Sequence, residues 1–208
     1  MAGESHHQRL QALLRHPSLW RGDGAAAVAA GWSTGFAALD AALPGGGWPR
    51  RGLIEVLGCS AGHGELTLWA PLLRQLTQHE TARCCALIAP PFEPFAPGWR
   101  AAGIQTDRLL VVRDSDPLWA LEQSLLSGVC AIGFGWLDSR ANLVALRRLA
   151  LAAERGAALG VLIRPLRAAL EHTPALLRLA VTRTAAGLSV QLLKGRGLAP
   201  RTVALGLA

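Results

Sequence analysis

The sequence predicts an α/β domain in which a mostly parallel sheet is flanked by helices and finished by a C-terminal antiparallel hairpin. Two observations carry the prediction. Short apolar runs of strand length recur along the chain, and those in its middle are separated by segments whose apolar residues repeat every three to four positions. Nearly continuous apolar strands alternating with amphipathic helices are what a parallel sheet buried on both faces requires. With 208 residues, 51% of them hydrophobic, the chain can hold one core domain and a shorter N-terminal segment. The division falls between residues 1–31 and residues 32–208.

In the N-terminal segment, QRLQALLR (8–15) places Leu10, Leu13 and Leu14 at i, i+3 and i+4, the spacing of a short amphipathic helix. Pro17 ends it. LWRG (19–22) and an Ala/Gly stretch through Gly31 hold too few large apolar residues to build a core and read as a linker. From Trp32 onward, strands are expected at 53–57, 84–89, 109–113, 129–134, 159–163, 177–182 and 188–193. Asp116 is placed to cap a helix with Pro117 in its first turn, Leu118, Leu121 and Leu125 facing inward, and Gly128 as its end. Asp138 or Ser139 is placed to cap the next helix, with Leu143, Leu146, Ala150 and Ala153 inward and Gly156 as its stop. A turn at 185–187 joins the last two strands. Trp69, Trp99 and Trp119 fall within helical patterns and are expected in core or lid packing.

The longest uncharged stretches carry polar or Gly-rich breaks and fall short of the roughly 20 apolar residues of a spanning helix. The N-terminus lacks the basic-then-apolar layout of a signal peptide, so a cytoplasmic protein without membrane association is expected. Cys59, Cys84, Cys85 and Cys130 lack metal-ligand spacing and read as small buried apolar residues, so no metal is expected. The net charge of +7 and pI of about 10.8 suit an anionic partner. All of the 21 basic residues except Lys194 are arginine, however, a skew that genome composition also produces. Lys194, Arg196 and Arg201 could meet DNA phosphates or an acidic partner, or form the solvated end of the hairpin.

The stretch GCSAGHGEL (58–66) stands where a phosphate-binding loop would, between an apolar strand and a helical pattern. In a G-x-x-x-x-G-K-[ST] loop the backbone N–H groups surround the phosphates, Lys meets the outer ones and Ser or Thr holds magnesium. Started at Gly58, the register leaves Gly62 among the free positions. It puts His63 at the second Gly, Gly64 at the Lys and Glu65 at the Ser/Thr. A carboxylate at a helix N-terminus would compete with a nucleotide phosphate for the same dipole and donors. Pro71 either kinks a helix running from Gly64 or marks a later start. No nucleotide cofactor and no catalysis are expected.

STGFAALDAALPGGGWPRRGLIEVLG (33–58) resembles the entry to the RecA ATPase core, with its STG, LD, GGG and E-to-G run. CALIAPP (84–91), AAGIQTDRLLVVR (101–113) and ALEQSLLSGVCAIGFGWLDS (120–139) keep step with that core, and the resemblance implies its three-layer fold. Departures fall where chemistry is needed. Pro91 stands about where RecA has its catalytic Glu, and Trp136, or Asp138 after a two-residue shift, stands where an acidic residue closes the next strand. Both DNA-binding loops of RecA are expected to be reduced or absent, since the chain passes straight into the next helix after 139 and the 164–173 segment is short.

LWRG, the 33–49 block, GELTL, LIAPPFEPFAP, WALEQSLLSG and LKGRG together resemble the ImuA family, RecA-like accessory proteins of SOS-induced mutagenesis with a degenerate P-loop. That resemblance implies a non-catalytic adaptor in error-prone translesion DNA synthesis and DNA repair. Its partners would be ImuB, a DnaE-type polymerase and RecA itself, with DNA bound indirectly or weakly and the protein at the nucleoid after damage. Leu10, Leu13 and Leu14 would then dock on a partner or fold back on their own domain. Trp20 and Arg21 are of types enriched at interface centres, or else anchor the linker. The SulA family of cell-division inhibitors, which bind FtsZ, resembles the same core through GELTLWAPLLRQL and LIAPP.

Overall fold

The computed structural model of the protein describes residues 29–58, 65–79, 83–138 and 141–206. The helix expected at 8–15 lies outside them, with Leu10, Leu13, Leu14, Trp20 and Arg21. So do Gly62, His63, Gly64 and Ser139.

The chain runs through α1 (Ala37–Asp40), β1 (Gly52–Leu57), α2 (Ala70–Gln78), β2 (Cys84–Ile88), α3 (Ala96–Ala101) and β3 (Leu109–Val112). It continues with α4 (Pro117–Leu126), β4 (Cys130–Trp136), α5 (Leu143–Arg155), β5 (Leu159–Arg164), β6 (Leu177–Thr184), β7 (Gly187–Lys194) and β8 (Arg201–Gly206). The eight strands form one sheet in the order β3-β2-β4-β5-β1-β6-β7-β8. Pairings are parallel from β3 to β6 and antiparallel from β6 to β8. The fold is thus mixed α/β with a mostly parallel sheet. The expected hairpin is present, but β8 adds a third antiparallel strand that its alternating, weakly apolar sequence RTVALG did not announce.

Burial on both faces explains the apolar strands. Every residue of β1 and β5 is buried. On one face, Ile54, Val56, Leu87, Phe134 and Val161 pack with Leu39, Trp48, Trp69, Leu72 and Leu73. On the other, Leu53, Ile88 and Leu162 pack with Leu121 and Leu125 of α4 and Leu146, Leu149 and Ala153 of α5. At about 25 cal/mol per Å² of apolar area, these two seams are the main favourable contribution to folding.

Asp116 caps α4 as expected, accepting from the Trp119 N–H at 3.1 Å. The cap of α5 is a correction: Asn142, not Asp138 or Ser139, accepts from the Ala145 N–H at 2.8 Å. The helix begins later than expected, and an amide oxygen three residues ahead of a free N–H is the geometry a cap needs. Gly156 does stop α5, but its φ is −81°, and the left-handed residue is Ala157. A Cβ at 156 would lie 1.8 Å from the Leu125 carbonyl oxygen, so glycine is required there by the close approach of α4. Trp119 corrects another expectation, being 50% exposed, whereas Trp69 is fully buried and Trp99 packs against the core.

Candidate functional site

The region after β1 is built differently from a nucleotide site. Gly58 holds φ at +90° and donates its N–H to the Arg164 carbonyl at 3.1 Å, turning the chain out of the sheet. Glu65 is buried and opens a 3₁₀ turn, Glu65–Leu68, and α2 starts only at Ala70 with Pro71 in its first turn. The later start that Pro71 allowed is the one adopted. Glu65 is therefore not at an α-helix N-terminus, which corrects that expectation: the aligned peptide dipoles that favour an anion begin beyond it.

Aromatic rings occupy the space between this segment and β4. Trp69, just ahead of α2, stacks on Trp48 with ring centroids 4.2 Å apart and meets Phe134 edge-on at 5.5 Å. Phe134 in turn lies 6.4 Å from Trp136, which closes β4 where the resemblance to RecA calls for an acid. Asp138 is exposed beyond the strand, and its carbonyl accepts from the Arg167 guanidinium.

The loop after β2 presents apolar surface. Ala89 leaves the strand at φ +49°, a strained conformation for a residue with a Cβ, with its N–H held by the Val112 carbonyl at 2.8 Å. Pro90 is buried and Pro91 exposed, and beyond them Phe92 and Phe95 are 63% and 70% exposed. Glu93 pairs with Arg113 and ties this loop to the end of β3. Three prolines within six residues fix the backbone, so the rings are shown to solvent at small entropic cost. Phe95 also lines a groove of about 360 Å³ with Leu66, Leu73, Trp99 and Ile104. A wider depression of about 760 Å³ adjoins it, with Phe36, Pro71 and Arg74 in its wall.

The C-terminal basic residues lie on and between the last two strands, and two of them are held by different backbone carbonyls. Lys194 donates to the Thr173 carbonyl at 2.8 Å, and Arg201 opens β8 and donates to the Ala41 carbonyl at 3.2 Å. Arg196 is exposed in the connection between β7 and β8. Burial, then the nearby Arg178 guanidinium, pull the Lys194 ammonium below its ordinary value against the attraction of Glu55. Among the described residues, no group of three or more His, Cys, Asp or Glu side chains could hold a metal, and no helix is long and apolar enough to cross a membrane.

Sequence reasoning passed over two features. Glu55 of β1 is fully buried between Arg164, at 3.1 Å, and Arg178, at 2.6 Å, and Arg164 also reaches Glu171 at 2.6 Å. A glutamate inside the otherwise apolar GLIEVL was the available signal. Phe92 and Phe95 belonged to a motif read for its resemblance, and phenylalanines spaced by prolines were the signal for a displayed surface.

No family model matches the chain. It is 36% identical over 102 residues to the cell division inhibitor SulA of Pseudomonas aeruginosa, a match that takes in 48% of this chain. The chain spans 63% of the length of that curated relative. The crystal structure of SulA from Pseudomonas aeruginosa matches at 32% identity with a TM-score of 0.45, covering 54% of this chain and 97% of that one. Over about half of its length, this chain is similar in sequence to SulA.

Proposed function

We propose that this protein is a non-catalytic binding protein of the SOS response that inhibits cell division in the manner of SulA, by seating on FtsZ. The observation that carries the reading is the 36% identity over 102 residues to a cell division inhibitor. The geometry supports a binding role: Phe92, Phe95 and the adjoining groove form a preorganised apolar surface, with Arg74 exposed in the wall of the neighbouring depression and Glu93, paired with Arg113, between the two rings in sequence. Exposed aromatic anchors beside an apolar groove are the composition of interface centres.

The same reading excludes turnover. The Lys and Ser/Thr of a P-loop are replaced by Gly64 and Glu65, the acid positions by Pro91 and Trp136, and the helix dipole starts at Ala70. Gly64→Lys combined with Glu65→Thr is expected to release no phosphate from ATP above background. Appreciable turnover by that variant would contradict the non-catalytic reading.

A second reading, the ImuA-type adaptor for ImuB, a DnaE-type polymerase and RecA, is favoured by the entry block. That block is built firmly into the domain: Trp32 and Trp48 form a β-bridge, and Asp40 accepts from the Ser33 hydroxyl and the Thr34 N–H, both at 2.7 Å. Co-purification with FtsZ beside ImuB separates the two readings.

A further inference from the structure

Cys84 and Cys130 are 46 residues apart in sequence and share a register position at the N-terminal ends of β2 and β4. Their sulfurs lie 2.9 Å apart. The register shifts between Cys84 and Cys85. Cys85, by strand alternation, points to the opposite face and packs in the other core seam. Cys84 is half-buried and Cys130 buried, so Cys84 is the more open residue of the pair. Arg83 stands beside them, its guanidinium held by the Gly156 and Ala157 carbonyls at 2.7 Å. Among the described residues all three thiols are unbridged.

We propose that Cys84 and Cys130 are an oxidation site, a thiol pair that hydrogen peroxide closes to a disulfide between β2 and β4. The two sulfurs have different parts. Peroxide meets the thiol of the more open Cys84 and oxidises it to a sulfenic acid, releasing one water. The Cys130 sulfur then attacks the sulfenic sulfur. Its proton and the sulfenic hydroxyl leave as a second water, and the S–S bond forms. Peroxide is reduced to water and the two thiols are oxidised by two electrons in all. A dithiol such as dithiothreitol reverses the step by exchange. Burial, then the Cys84 contact, pushes the Cys130 thiol up to about 12, so it is not the sulfur that oxidant meets first, and its later attack depends on the 2.9 Å approach of the two sulfurs. The site lies at the strand ends opposite the Phe92 and Phe95 loop and is independent of the partner proposed above.

The test treats the full chain with hydrogen peroxide, alkylates the remaining thiols and maps the peptides by mass. The expected product joins the peptides containing Cys84 and Cys130, weighs less by a pair of hydrogens and is cleaved by dithiothreitol. It forms in Cys59→Ser and is lost in both Cys84→Ser and Cys130→Ser. Because mapping is done on the native sequence, a variant that folds poorly does not decide the matter. A link through Cys59 or Cys85, sulfinic acid at Cys84 without a link, or unchanged thiols would overturn the proposal.

Discussion

The Trp69 indole stacks on the Trp48 indole at 4.2 Å, joining the segment that precedes β1 to the segment that follows its loop. Both side chains are fully buried. Trp69→Ala removes the centre of a row that continues to Phe134, and a cost of about 3–5 kcal/mol is expected for an aromatic-to-alanine change in a core. Urea unfolding followed by circular dichroism checks this. A loss under about 1 kcal/mol would show that the row collapses without penalty and is not a main support of this region.

Glu55→Gln tests the buried charges. The carboxylate balances two guanidiniums that are at most 7% exposed, and removing one member of such a group costs about 3–5 kcal/mol because charge is left uncompensated. The loss is read as a lower denaturant midpoint. A midpoint unchanged from the parent would mean that Glu171 alone neutralises the pair.

Asp40 gives a pH-dependent prediction. Burial raises its carboxyl, but hydrogen bonds from the Ser33 hydroxyl and from the N–H and hydroxyl of Thr34 outweigh that and hold it below the ordinary 3.8. The ionised group therefore contributes stability above its unfolded value, and the contribution is lost as pH falls through the lower folded value. Asp40→Asn should have a lower Tm than the parent at pH 7, with the difference shrinking as pH drops below about 4. A difference constant over that range would remove the carboxylate from the account.

What the sequence made legible followed from local rules. The Asp116 cap, the seven expected strands and the turn before β7 each depend on a residue and its near neighbours. Long-range contacts were not legible. Gly156 was read as a helix stop, yet it is the Leu125 carbonyl, on another helix, that forbids a side chain there. Trp119 obeys the helical period but sits on the solvent face, because the inward row of α4 is taken by Ala120, Leu121 and Leu125. The pairing of Cys84 with Cys130 depends on strand order, which adjacency in sequence hides.

The surface of Phe92 and Phe95 is the part of the site on which the proposed function rests. Both rings are mostly exposed, so replacing them with alanine should change stability by no more than about 0.5 kcal/mol. Loss of an aromatic anchor from an interface costs about 2 kcal/mol or more, upwards of ten-fold in affinity.

The most direct measurement is capture of the purified full chain on immobilised FtsZ, beside ImuB, with the parent and with Phe92→Ala/Phe95→Ala. The account predicts that FtsZ retains the parent and that the double variant binds at least about ten-fold more weakly. Retention by ImuB with none by FtsZ would contradict the division-inhibitor reading.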